Sequence, residues 1–168
     1  MLKLVKSPDP WLEKKVEPFS FNFLNAEEVS KQMIDVMEKE GGIGLSANQV
    51  ALDAQIFVMK THLLEKNGYL TIINPEIIKV SEEKELMPEG CLSHPDLFLQ
   101  VNRAKHIWAK YLDITATECI IELIDIDARC FLHEYDHLQG IEFTDRVSKL
   151  KVDRAKKKRD KKRKATHG

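Results

Sequence analysis

The sequence has few cysteines and no long apolar run, and each shortage excludes a class of protein. Cys91, Cys119 and Cys130 are an odd number of thiols and too few for a disulfide-stabilised scaffold of 168 residues. No stretch approaches the roughly 18 consecutive apolar residues of a membrane span, and the opening MLKLVKSPDP lacks the apolar core of a secretory signal. We therefore expect a cytoplasmic protein without a membrane partner, with free thiols available for chemistry or metal binding.

Charge is distributed unevenly along the chain. Residues 149–168 contain 11 of the 26 Lys and Arg side chains but only 2 of the 27 Asp and Glu. The overall net charge of -1 is therefore the sum of an acidic segment, residues 1–148, and a basic one. The last stretch cannot build a core and is predicted to be a solvated helix or disordered. We divide the chain into one globular domain over residues 1–148 and a basic tail over residues 149–168.

The segment His133-Glu134-Tyr135-Asp136-His137 has the clearest chemistry. On a helix, capped by Asp125 or Asp127 and ended by Gly140, its two histidines lie on one face, one turn apart, and can bind one divalent ion. Glu134 is then the candidate general base for a water molecule at that ion. The alternative without function is a surface helix that has two histidines by chance.

A catalytic site of this type needs a third protein ligand and an open position. No Glu follows Glu142, and Phe143 occupies the place of a downstream histidine ligand, so the ligand lies upstream or is an aspartate. We favour Cys91, which follows the flexible Gly90. Cys130 is disfavoured, since a ligand on the same helix would lie in line with both histidines.

Other histidines and a glycine-rich stretch leave alternatives open. His94 together with Cys91, His133 and His137 would make a closed structural zinc site. The remaining three histidines are interpreted as surface residues: His62, His106 and His167. Residues 41–49 contain three glycines in four positions, which favours backbone that approaches a ligand, with a plain tight turn as the alternative.

The rest of the chain predicts an α+β fold. Asn25 can cap a helix that runs to about Lys39 and stops at Gly41-Gly42. Six β-rich runs follow, at residues 55–60, 69–74, 76–80, 97–102, 105–113 and 117–124. Turn signals lie at Asn67-Gly68, Asn74-Pro75 and Pro95-Asp96. The short spacings favour antiparallel or mixed sheets.

Three motifs together resemble those of the peptide deformylases. They are Gly42-Ile43-Gly44-Leu45-Ser46-Ala47-Asn48-Gln49, Glu89-Gly90-Cys91-Leu92-Ser93 and His133-Glu134-Tyr135-Asp136-His137. The resemblance covers residues 2 to about 148. It implies an α+β fold with mixed or antiparallel sheets around a central helix bearing the histidines. The implied reaction is metal-dependent hydrolysis of the N-formyl group from the N-terminal methionine of new polypeptides, with release of formate.

The resemblance also implies a role for each motif residue. Cys91, His133 and His137 would hold the metal, Fe(II) in the cell with Zn(II) as the alternative in purified protein. Glu134 would move the proton, while Gln49 and the backbone N–H of Leu92 would stabilise the oxyanion. Substrate contacts would come from Ile43, Gly44, Met87, Gly90, Ile126, Cys130 and the side of His133.

Several positions depart from the family's usual pattern. Asn48 replaces a proline, His94 a small apolar residue and Phe98 an arginine, so the loop and the outer substrate contacts are expected to differ. In some members a C-terminal helix docks on the ribosome, and the basic tail would suit an RNA surface.

We expect a monomer. The rival functions are a related amidohydrolase with altered specificity and a structural zinc or RNA-binding module.

Overall fold

The computed structural model describes residues 1–64 and 68–166. The predictions that fall on Asn67 and His167 lie outside these residues. The helices are α1 (Ala26–Lys39), α2 (Asp125–Leu138) and α3 (Lys149–Thr166), with short 3-10 turns at Pro10–Glu13, Ala47–Val50 and Phe143–Arg146. The strands are β1 (Gly44–Ser46), β2 (Ile56–Lys60), β3 (Tyr69–Val80), β4 (Lys84–Cys91), β5 (His94–Ala104), β6 (His106–Leu112) and β7 (Glu118–Ile124).

The strands form two antiparallel sheets. One has five strands in the order β1-β2-β3-β6-β7, and the other is the β4-β5 hairpin. Every strand pair within the described residues is antiparallel, so the α+β prediction is confirmed in its antiparallel form. Helix α2 contacts strands of both sheets and therefore lies centrally, as the resemblance implied.

The helix boundaries follow local signals at α1 but not at α2. The Asn25 side chain accepts a hydrogen bond from the Glu28 N–H at 3.0 Å, and Gly41 ends the first helix with a φ of 72°. At α2 the N-cap is Ile124, without a side-chain cap bond, so the prediction of Asp125 or Asp127 as cap was wrong. Asp127 instead accepts hydrogen bonds from another segment, at residues 61 and 62.

Two predicted turns are irregularities within strands. β3 continues through Asn74-Pro75 with a shift in register, and Asn74 bonds to both the N–H and the carbonyl oxygen of Phe19. β5 likewise begins at His94, before Pro95-Asp96, and Asp96 adopts a φ of 60°. Strand β4 was not predicted, because it has no alternating apolar face: Glu89 is its one buried residue.

The basic tail forms a helix with one packed face. Val152 is buried and Ala155 packs beside it on a small core formed with Leu97, Leu99, Val101 and Phe143. Leu150, near the start of the same helix, is 60% exposed. Near the other end of α3, Arg163 donates to Asp96 at 2.8 Å. Among the described residues, no helix is both long enough and apolar enough to cross a membrane.

A buried ionic network joins the β4-β5 hairpin to α2. Arg103 donates two hydrogen bonds to Glu89, at 2.7 and 3.0 Å, and one to Asp136 at 2.8 Å. Arg129 also donates to Glu89, and Arg146 donates to Asp136. Removing one member would leave partner charges buried without compensation, which costs several kcal/mol.

We predict that Arg103→Met lowers the free energy of unfolding by about 3–5 kcal/mol, because Glu89 and Asp136 lose their shared partner. Urea unfolding followed by circular dichroism measures the change. The matched control is Lys105→Met, two residues along the chain, which breaks only an exposed pair with Glu83 and should leave the midpoint unchanged. Equal midpoints for the two variants would contradict the assigned role of the network.

Candidate active site

Cys91, His133 and His137 converge where the β4-β5 hairpin meets α2. Their ligand atoms all lie within 4.8 Å of one another, and the Cys91 Sγ lies 3.3 Å from the His137 Nε2. The end of β4 supplies the thiol, while the four-residue spacing on α2 supplies both imidazoles. One soft thiolate with two imidazoles is a donor set that suits Fe(II) or Zn(II).

Charged neighbours orient and polarise this donor set. The His133 Nδ1 lies 2.9 Å from Glu89, which leaves the other ring nitrogen directed at Cys91 and His137. Burial opposes ionisation of Glu89, but hydrogen bonds from His133 and Arg103 lower its pKa to about 2. Burial lowers the pKa of His137 well below its usual value, which favours the neutral ring that binds a metal.

Glu134 lies in a tight space between α2 and β1. The Ser46 Oγ lies 2.6 Å from the Glu134 Oε2, and a Cβ added at Gly44 would lie only 2.5 Å from its Oε1. Burial raises the pKa of Glu134, with neighbouring positive groups working against this rise. A desolvated carboxylate on the wall of the cavity is suited to general base chemistry.

Gln49 and Leu92 lie on either side of Cys91. The Gln49 Oε1 accepts the Ser46 N–H at 2.9 Å, so its Nε2 points at the Ser93 hydroxyl and lies 3.4 Å from the Cys91 Sγ. Leu92 follows Cys91 at the hairpin turn and lines the cavity. The Gln49 amide therefore donates toward Cys91, one of the three candidate ligands.

A cavity of about 500 Å³ opens beside these groups. It is lined by six of the seven predicted substrate contacts: Ile43, Gly44, Gly90, Ile126, Cys130 and His133. Met87 is not on the lining within the described residues. It lies four residues before Cys91 on β4, about 13 Å along the strand, and pairs with Val101.

The alternatives considered for the metal ligands take other positions. His94 is paired with Glu142 rather than with the three ligands, so the closed four-ligand arrangement is not formed. The Cys130 Sγ contacts the Ile43 carbonyl oxygen at 3.5 Å, and burial raises the pKa of its thiol well above its usual value. Cys130 is thus a neutral wall of the cavity. Asn48 anchors its turn by donating to the His137 carbonyl oxygen at 2.5 Å.

The sequence interpretation missed the residues that position the site. Ser46, Ser93, Arg103 and Arg129 were assigned no role, and Glu89 was named only as the first residue of the second motif. All are buried, and each bonds to Glu134, Gln49, Glu89 or His133. A usable signal existed for three of them, since Ser46, Glu89 and Ser93 are polar residues inside the motif segments. Arg103 and Arg129 had no comparable local signal.

Comparison with known proteins agrees with this geometry. The family model described as polypeptide deformylase matches residues 1–153. A peptide deformylase of Thermotoga maritima is 38% identical over 143 residues, covering 85% of each chain. The structure of a peptide deformylase from Ehrlichia chaffeensis matches with a TM-score of 0.86 at 34% identity, covering 99% of both chains. One from Synechococcus elongatus, in complex with actinonin, matches 95% of this chain and 86% of that one, with a TM-score of 0.86 at 32% identity. The chain therefore belongs to the peptide deformylase family, metal-dependent hydrolases that remove the N-formyl group from newly made polypeptides.

Proposed function

We propose that Cys91, His133 and His137 hold the divalent metal ion with which this chain deformylates N-formyl-methionyl peptides, and that Glu134 is the general base. The supporting observation is the convergence of the three ligand atoms within 4.8 Å beside a buried carboxylate. When bound, the ion acts as a Lewis acid that polarises the formyl group and makes water more acidic.

The chain's own groups then account for the proton movements. Glu134 takes a proton from the attacking water and delivers it to the nitrogen that leaves, giving formate and a free N-terminal methionine. Ser46 holds this carboxylate in place. The Gln49 amide and the backbone N–H of Leu92 stabilise the negative charge that develops on the formyl oxygen.

The cavity lining supports substrate binding in an extended form. β1 is the edge strand of its sheet: among the described residues it pairs with β2 on one side and with no strand on the other. Gly44 lies on this edge strand. A peptide strand can pair with such an edge. We propose that Ile43, Ile126 and Cys130 contact the methionine side chain, with Gly44, Gly90 and the side of His133 completing the substrate contacts.

The identity of the metal and the setting are further proposals. We propose Fe(II) in the cell and Zn(II) as the alternative in purified protein, because one thiolate and two imidazoles accept both ions. The proposed localisation is the cytoplasm, where thiols stay reduced. A monomer is proposed because all three ligands come from one chain. We also propose residues 1–148 as the catalytic domain and 149–168 as a basic tail that docks on the ribosome.

The general base is tested with Glu134→Gln, which keeps the shape of the side chain but cannot accept the proton. We predict that kcat for formate release from formyl-Met-Ala-Ser falls by about 10²–10⁴-fold while one equivalent of metal remains bound. The protein is purified anaerobically with Fe(II), and acetyl-Met-Ala-Ser serves as the substrate control.

The ligand set is checked in the same preparation. Cys91→Ala should lose the metal, whereas Cys130→Ala, which changes the other cysteine at the cavity, should keep it. Full turnover by Glu134→Gln, or loss of metal from Cys130→Ala alone, would contradict the assignments.

The space beside Glu134 generates a second prediction. Gly44→Ala should lower kcat by about 10–100-fold with metal still bound, because its Cβ would displace the Glu134 carboxylate. The control is Gly42→Ala, whose Cβ would meet the flexible end of the Leu92 side chain at the same distance of 2.5 Å. Equal losses in the two variants would show that Gly44 matters for something other than the base.

Ribosome docking is tested by neutralising exposed charge on α3. We predict that combining Lys157→Gln, Lys158→Gln, Lys161→Gln and Lys162→Gln weakens co-sedimentation with purified ribosomes and flattens its dependence on salt. These lysines are exposed, whereas Val152 and Ala155 pack on the domain, so the fold and formate release from free peptides should be unchanged. Unaltered co-sedimentation would refute docking through this face.

A further inference from the structure

We propose that Phe98 makes this enzyme prefer formyl-methionyl peptides with an apolar or aromatic side chain at one of the two positions after the methionine. The inference rests on the proposed function of the site and adds a substrate class to it. The ring of Phe98 is exposed on the cavity wall and has no role in the catalytic assignments above.

Phe98 is 67% exposed although it is one of the largest apolar side chains on the cavity lining. It lies on β5 directly across from Gly90 on β4. A Cβ added at Gly90 would lie 2.8 Å from the Phe98 Cε1. The ring therefore rests on bare backbone next to Cys91, and any larger residue at position 90 would displace it.

The remaining rim favours apolar over charged recognition. The exposed charged side chains on the lining are of both signs, with Lys6 against Glu40 and Asp96, and Asp96 is already paired with Arg163. Phe98 is an exposed apolar side chain at the binding cleft that the methionine assignment leaves unused. An exposed apolar surface at such a cleft is typical of a contact site for an apolar ligand group.

The distances along an extended peptide identify which side chains can meet the ring. Each residue of a strand advances about 3.3 Å, so the second and third residues lie roughly 6 and 10 Å beyond the formyl carbon. The reacting group lies at Cys91, and the Phe98 ring covers the adjacent Gly90. The methionine side chain is assigned to Ile43, Ile126 and Cys130, which leaves the Phe98 ring to the residues that follow.

The experiment measures kcat/KM for two peptide series, formyl-Met-Xaa-Ala and formyl-Met-Ala-Xaa, in which Xaa is Phe, Leu, Glu or Lys. At one position, Phe and Leu should exceed both charged residues by about tenfold, mostly through KM, because an apolar side chain is removed from water. Phe98→Ala should abolish the preference and Phe98→Leu should retain part of it. Phe98→Arg should shift the preference toward Glu.

Leu86→Ala is the matched control. Leu86 lies on β4 of the same hairpin, is 60% exposed and is not on the cavity lining within the described residues, so its replacement should leave the preference intact. Equal kcat/KM for all side chains at both positions, or a preference that persists in Phe98→Ala, would overturn the inference. Turnover of formyl-Met-Ala by the wild-type protein is measured in parallel, so that failure of the deformylase assignment itself is seen separately.

Discussion

The buried carboxylate of Glu89 is the group on which the rest of the site depends. It accepts hydrogen bonds from Arg103 and Arg129 and lies 2.9 Å from the ring of His133. Because Glu89 lies two residues before Cys91, the same side chain connects the segment of the thiol ligand to the helix of the imidazole ligands. A charge this deeply buried is tolerated only with such partners, so the hairpin and α2 must stay together for either to be stable.

A second set of contacts brings the glycine-containing strand to the same helix. Ser46 bonds to Glu134, Asn48 bonds to the carbonyl of His137, and Gln49 reaches toward Cys91. The approach is close enough that Gly44 has no room for a side chain. Glu134, Gln49, Cys91 and His137 are thus held in place by hydrogen bonds, and for the roles proposed for them such contacts would supply the preorganisation that catalysis requires.

The three departures from the family pattern have separate structural consequences. Asn48 was expected to alter its loop, and it instead ties the 3-10 turn to the end of α2. His94 pairs with Glu142 and packs against Phe143, whose ring also lies beside His133. Phe98 and His94 both line the cavity, but only Phe98 is exposed, at 67% against 4% for His94. The two buried substitutions, Asn48 and His94, therefore form contacts within the protein, whereas Phe98 is accessible to a bound molecule.

Local patterns in the sequence determined the features that depend on neighbours in the chain. These are the cap and stop of α1, the one-turn spacing of His133 and His137, and most strand positions. Contacts between distant segments required the tertiary structure: the pairing of His94 with Glu142, the network around Glu89, the pairing of β4 with β5, the continuation of β3 through Pro75 and the packing of α3. The physical reason is that periodicity and turn propensity report which face of an element is buried. They do not report which distant polar group will contact that face, and in this protein the site is formed by such contacts between distant segments.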